Sequence, residues 1–207
     1  MAALHAGSAA PAFTLTDTKG NVLTLESLKG KKVYLILFRV APCPLCNLTV
    51  SRLKKMAPEL SKANMEIVCV FESTMSELKG YSGKQATDSF NLYVDERKMA
   101  IYKDYRRVRS CSGSLLGRAI CWHMCYDCKI WSVQGWFVKG CPPAACNPIL
   151  LSPRGLFGMP VDVLIDESGK IVEIQYGKVI GEHMPIEKVK AFAGIAGGGA
   201  ADMMMER

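Results

Sequence analysis

No run of apolar residues in this 207-residue chain approaches the roughly 18 to 20 that a membrane-spanning helix requires. A helical membrane protein is therefore excluded, and no membrane partner is expected. The longest candidate, Val33 to Phe38, has the length of a buried strand. Met1 to Ala6 has neither the cationic start nor the apolar stretch of a secretory leader, so the expected address is cytoplasmic. Charge of one sign is not concentrated either. The 26 Lys and Arg outweigh 19 Asp and Glu, a net of +7, but they are scattered among Lys29/Lys31/Lys32, Arg52/Lys54/Lys55 and Arg106/Arg107/Arg109. A nucleic-acid surface gathers such residues on one face with aromatics between them, so no nucleic-acid partner is expected. Charged residues make only 22% of the chain against 49% hydrophobic, which excludes general disorder.

What is abundant is cysteine. Nine cysteines, an odd number, in a chain without an export signal argue against a disulfide scaffold. In a reducing compartment they are buried, metal-bound or catalytic. Their grouping separates these cases: Cys43 and Cys46 form a pair, Cys69 stands alone between Val68 and Val70 as core packing, and six lie between Cys111 and Cys146.

The pattern along the chain predicts alternating strands and helices. After a mobile residues 1–10, Pro11 to Leu25 reads as a β-hairpin around Lys19-Gly20-Asn21. Val33 to Phe38 is continuously apolar, as in a parallel strand covered on both faces. Pro44 to Leu60 has helical spacing, Met65 to Phe71 is a second buried strand, Thr74 to Gly80 a short helix, Phe90 to Val94 a third strand and Glu96 to Tyr105 a helix. Val161 to Tyr176 is a hairpin turning at Asp166 to Gly169, and Pro185 starts a last helix running to about Phe192. These predict one α/β domain over residues 11–193, a sheet between helices, followed by a disordered tail over 194–207.

The most informative stretch is Arg39-Val40-Ala41-Pro42-Cys43-Pro44-Leu45-Cys46. Cys43 falls where a buried strand gives way to an amphipathic helix. Unpaired backbone N–H groups and the helix dipole stabilise a thiolate there. Pro44 suits the first helical turn because its missing N–H costs little. Cys46, one turn along, can attack an oxidised Cys43. The pair reads as nucleophile and resolving thiol; half of a zinc site and inert packing are the alternatives.

Residues Pro11 to Asp17, Leu25, Leu28 to Lys31 and Phe38-Arg39 ahead of Cys43-Pro44 resemble the AhpC/TSA, peroxiredoxin-like branch of the thioredoxin-fold redoxins. Met159 to Ile171, Tyr176-Gly177, Gly181 to Pro185 and the last helix resemble the second half of that fold, so the resemblance covers about 8–107 and 157–193. It implies a thioredoxin-like fold with a central mixed sheet, an N-terminal β-hairpin and an antioxidant oxidoreductase acting on disulfides or peroxides. It implies no bound cofactor and an external thiol reductant of the thioredoxin or glutathione type, and it leaves a homodimer open. By the same resemblance Arg39, Pro42, Pro44 and Pro160 support the site, with Pro160 as a cis-proline facing the cysteine pair. Two departures stand out. Val40 occupies the place, three residues before Cys43, where peroxiredoxins carry a Thr or Ser that binds peroxide. Pro160 stands where they carry an Arg, with Arg39 and Arg154 as electrostatic substitutes. The implied site is a hybrid: a peroxiredoxin-like frame with a thioredoxin-like Cys-x-x-Cys.

An insertion at about 108–158 interrupts the pattern. It holds all three tryptophans, Trp122, Trp131 and Trp136, which with Phe137 read as core plus a lid over Cys43. Cys121, His123, Cys125 and Cys128 are zinc candidates, joined by Cys141 and Cys146. Reduced cysteines in an apolar insertion, local disulfides and an iron–sulfur cluster are the other readings. A rival function follows from this segment: a redox-inactive or zinc-stabilised interaction protein that binds a partner through it. His123 and His183 read as structural.

Overall fold

A computed structural model describes residues 4–86, 90–95, 100–105 and 158–195. Seven described strands make one mixed sheet in the order β2-β1-β5-β4-β3-β6-β7. They are β1 (Thr14–Asp17), β2 (Val22–Thr24), β3 (Lys32–Leu37), β4 (Met65–Phe71), β5 (Leu92–Val94), β6 (Val161–Ile165) and β7 (Ile171–Tyr176). The helices are α1 (Pro44–Lys62), α2 (Met75–Tyr81), α3 (Ala100–Asp104) and α4 (Ile186–Ala193).

The three central strands β3, β4 and β5 run parallel, and both flanks of the sheet are antiparallel. β3 runs parallel to β4, and β6 enters on its other side antiparallel, pairing Leu37 with Val161 and Val33 with Ile165, so the sheet is mixed as expected. β3 is nonetheless covered on both faces, which explains its unbroken apolar run. Tyr34, Ile36 and Phe38 face a core shared with α1 and α4; Val33, Leu35 and Leu37 face a second core shared with Tyr102, Tyr105 and the N-terminal hairpin. The hairpin turn expected at Lys19 to Asn21 is tied by Asp17, whose carboxylate accepts from the backbone of Lys19 and Asn21. Of the helix expected over 96–105, Ala100–Asp104 is described.

α1 ends where Asn64 takes the left-handed conformation (φ 56°) that side-chain amides tolerate. Its carbonyl accepts from Lys32 N at 3.1 Å and its amide donates to Gly30 O at 2.8 Å, which sets the start of β3 opposite Met65. α2 carries a capping box, with Thr74 and Glu77 each bonding the other's backbone N–H. The last helix begins at Ile186 with Pro185 as its cap.

The expectation of a cis-proline at Pro160 is corrected: no cis peptide bond occurs among the described residues. Trans is the ordinary preference for an X-Pro bond, by about 0.5–1 kcal/mol. Here Pro160 leads straight into β6, and its carbonyl accepts from Gly177 N at 3.0 Å as the last rung of the β6–β7 ladder. Gly177 is required by this closeness. A Cβ there would lie 2.7 Å from Pro160 Cγ and 2.9 Å from Glu182 O. Gly177→Ala is expected to destabilise the chain by about 1–3 kcal/mol, the usual range for overpacking, as measured by urea unfolding.

The insertion, including Cys121, His123, Cys125, Cys128, Cys141, Cys146, Arg154, the tryptophans and Phe137, lies outside the described residues, as do 1–3 and 196–207. Among the described residues, no helix is long and apolar enough to cross a membrane.

Candidate active site

Phe38 continues β3 by bonding Val70 O, and Arg39 O accepts from Glu72 N at 2.9 Å, so the chain leaves the sheet still attached to β4. Val40 to Cys43 then forms a tight turn closed by Cys43 N on Val40 O at 3.0 Å. Cys43 is the N-cap of α1, with extended backbone angles, and Pro44 is the first helical residue. An N-cap side chain normally accepts from the orphan N–H groups of the first turn. Here the acceptor is sulfur: Cys43 Sγ lies 3.4 Å from the Cys46 backbone N.

Arg39 approaches the same atom, with Nη1 also 3.4 Å from Cys43 Sγ. Both residues are buried, Arg39 at 4% and Cys43 at 1% exposure, so this contact is poorly screened. The Cys43 thiol is lowered from 9.0 to about 6. The largest cause is the hydrogen bond from the Cys46 thiol; the Arg39 charge and the N–H groups of Cys46 and Leu45 add to it, against the penalty of burial. Cys46 moves the opposite way. Burial, then the neighbouring Cys43 sulfur, push its thiol well above the ordinary value. One cysteine is thus a thiolate near neutrality while its partner keeps its proton. Cys69, midway along β4, is also pushed up by burial and sits in the core as expected.

Sequence reading missed the polar frame under this turn. Asn47, one helical turn beyond Cys43, donates to Ala41 O at 2.6 Å and Cys43 O at 2.9 Å. Its Oδ1 accepts from Ser82 Oγ and Gln85 Nε2, each at 2.8 Å. Ser73 Oγ accepts from Ala41 N at 2.9 Å. Four residues from three segments hold the loop that carries Cys43. The i+4 spacing of Asn47 from Cys43 was the one local signal. Nothing in the sequence connects it to Ser82 and Gln85. Arg39, Pro42, Cys43, Pro44 and Cys46 all lie in the turn after β3 and the first turn of α1, and Pro160 O accepts from Gly177 N at the end of the β6–β7 ladder.

A second polar group lies on the same face of the sheet. Asp162 on β6 accepts from Tyr34 OH at 2.9 Å, from the Met184 backbone N and from His183 Nδ1 at 2.9 Å. His183, expected to be structural, therefore anchors the loop before α4, and its ring lies 5.1 Å from that of Phe38.

A family model described as the AhpC/TSA family matches residues 6–131. The chain is similar to peroxiredoxin Bcp of Escherichia coli K12, 28% identical over 93 residues that make 45% of this chain and 59% of that protein. It is also similar to the chloroplastic peroxiredoxin Q of Populus jackii, 29% identical over 117 residues, 56% of this chain and 54% of that one. The chain thus spans between half and two thirds of the length of these relatives. Among solved structures, peroxidoxin BcpB of Mycobacterium tuberculosis matches with a TM-score of 0.61 at 13% identity, covering 94% of this chain and 99% of that one. The thioredoxin domain of a thiol-disulfide oxidoreductase from Bacteroides vulgatus matches with a TM-score of 0.54 at 19% identity, covering 92% and 99%. The structural matches include the second half of the chain and so bear out the thioredoxin-like fold expected from 157–193.

Proposed function

The chain belongs to the AhpC/TSA family, and from that membership we propose that it is a thiol-dependent oxidoreductase with Cys43 as nucleophile and Cys46 as resolving thiol. The observation that carries this reading is the pair of donors, Arg39 Nη1 and the Cys46 backbone N–H, on the Cys43 sulfur at the start of a helix. The thiolate is the reactive form of cysteine, and this arrangement supplies it near neutral pH.

With a disulfide substrate, Cys43 thiolate attacks one sulfur, forms a mixed disulfide and releases the other half as thiolate. With a peroxide, the same thiolate takes the terminal oxygen. The O–O bond breaks, the leaving alkoxide or hydroxide picks up a proton, and Cys43 becomes a sulfenic acid. Cys46 then displaces the thiol or the water, and a Cys43–Cys46 disulfide remains. An external dithiol or glutathione-type donor reduces it back, and the cysteines themselves carry the electrons without a bound cofactor. Peroxide chemistry is favoured by the names of the relatives, and disulfide chemistry by the Cys-x-x-Cys spacing and by Val40, which has no hydroxyl to hold a peroxide.

The deciding experiment exposes the fully reduced chain to hydrogen peroxide and, separately, to a small disulfide, and maps the oxidised cysteines by mass spectrometry. The expected product is a Cys43–Cys46 disulfide in both, with the adduct trapped on Cys43 in Cys46→Ser. Oxidation that bypasses Cys43 would sink the enzyme reading and favour the interaction protein instead.

A further inference from the structure

Resting on that reading, we propose that Arg39 biases the Cys43–Cys46 couple toward its reduced form, so that the disulfide is an oxidising one and a glutathione-type monothiol suffices to reopen it. The starting point is a buried cation beside a sulfur. Arg39 is only 4% exposed, and a guanidinium keeps its proton in a protein, so its charge is present in both redox states. Its Nη1 lies 3.4 Å from Cys43 Sγ. Among the described residues its buried Nε has no hydrogen-bond partner, and no carboxylate lies within salt-bridge distance of it. The Cys43 sulfur is therefore the group that offsets this charge.

These contacts belong to the reduced state, since Cys43 and Cys46 are both free thiols here. A Cys43 thiolate is a full anion that accepts from Arg39 Nη1 and from the Cys46 backbone N–H, also at 3.4 Å. In a disulfide the same sulfur is neutral and only a weak acceptor. Oxidation thus leaves a buried guanidinium without its counter-charge, the costly way to break a buried ion pair. The fold keeps the two groups together. Arg39 O accepts from Glu72 N at 2.9 Å, and Asn47 Nδ2 holds Cys43 O at 2.9 Å. The lowered Cys43 thiol agrees with this, because it makes the thiolate the resting form of the reduced site. A dithiol whose reduced form is stabilised in this way is a stronger oxidant.

The consequence falls on the donor. One donor thiolate attacks the Cys43 sulfur, the S–S bond breaks, and Cys46 leaves and takes a proton. A second attacks the outer sulfur of the mixed disulfide. The donor disulfide forms, and Cys43 leaves as thiolate into its contacts with Arg39 and the Cys46 N–H. Two monothiols are oxidised, one disulfide is reduced, and one proton is released to solvent. A protein dithiol gains by making the second displacement intramolecular. Here the stabilised leaving thiolate lets two separate monothiols complete the same exchange.

The test starts from the full-length oxidised chain, equilibrated at pH 7 in mixtures of reduced and oxidised glutathione with a thioredoxin in parallel. After acid quenching and alkylation, mass spectrometry reads the peptide that carries Cys43 and Cys46. In the mixture that half-reduces the thioredoxin, the wild type should be at least about nine-tenths dithiol, a tenfold ratio equivalent to about 30 mV. Arg39→Met should move the equilibrium about three- to tenfold toward the disulfide. An unchanged equilibrium in Arg39→Met, or a shift toward the dithiol, overturns the proposal. So does a wild-type couple no more reduced than the thioredoxin, a result that stands even if the variant fails to fold. A disulfide that glutathione leaves closed while added thioredoxin opens it overturns the proposal as well. If no Cys43–Cys46 disulfide forms in any mixture, the resolving role of Cys46 fails, and this inference falls with it.

Discussion

If the proposed function holds, Cys43→Ser is expected to lower the rate with a disulfide or peroxide by at least about 10³-fold, because it removes the proposed nucleophile of a unit whose members do not act independently. A serine hydroxyl stays protonated near neutrality, whereas the Cys43 thiol is lowered to about 6, which favours the thiolate at pH 7. The sign of the pH dependence follows. Rate rises as pH climbs through about 6, where the thiolate forms, and levels above it. Arg39→Met keeps much of the side chain's volume and removes its charge, so the inflection should move up toward the ordinary cysteine value and the rate near pH 6 should drop several-fold. Thiolate absorbance against pH, with the rate of alkylation by iodoacetamide measured alongside, checks both points. A wild-type inflection near 9 would show that the two donors on Cys43 do not act as described.

Asp162→Ala carries the largest expected loss of stability, about 3–5 kcal/mol, the range for removing one partner of a buried charged hydrogen-bond group. Tyr34 OH, Met184 N–H and His183 Nδ1 would all lose their acceptor inside the core. The Tyr34 phenol is pushed well above its ordinary value by burial and the Asp162 carboxylate, so it cannot satisfy itself by ionising. Tyr34→Phe removes a single donor and should cost only about 1 kcal/mol. Urea unfolding of the reduced protein gives both values. A loss below about 1 kcal/mol for Asp162→Ala would mean that the cluster is solvated or relaxes freely.

Much of the architecture is legible in local pattern. The apolar run at Val33 to Phe38, the Cys43-Pro44 helix start, the alternation of β4 and β5 with helices, and the turn at Asp166 to Gly169 all express short-range rules of burial period, capping and turn chemistry. So does the difference between Cys43 and Cys69, since one caps a helix and the other lies inside a strand. Pro160 shows where local reading fails. A motif does not determine the peptide's isomer, and the strand pairing of Pro160 with Gly177 is consistent with trans.

The sequence alone determined that Cys43 caps a helix with Cys46 one turn further on, because helix initiation depends on a few neighbouring residues. Tertiary structure decided what surrounds that sulfur. Asn47 meets Ser82 and Gln85 across 35 and 38 residues, and Tyr34 meets Asp162 across 128. Such contacts arise from the order in which strands enter the sheet, and residue spacing along the chain carries no record of that order. Once β6 lies beside β3, burial leaves each polar group the partners the fold supplies, and that is how His183 comes to hold Asp162.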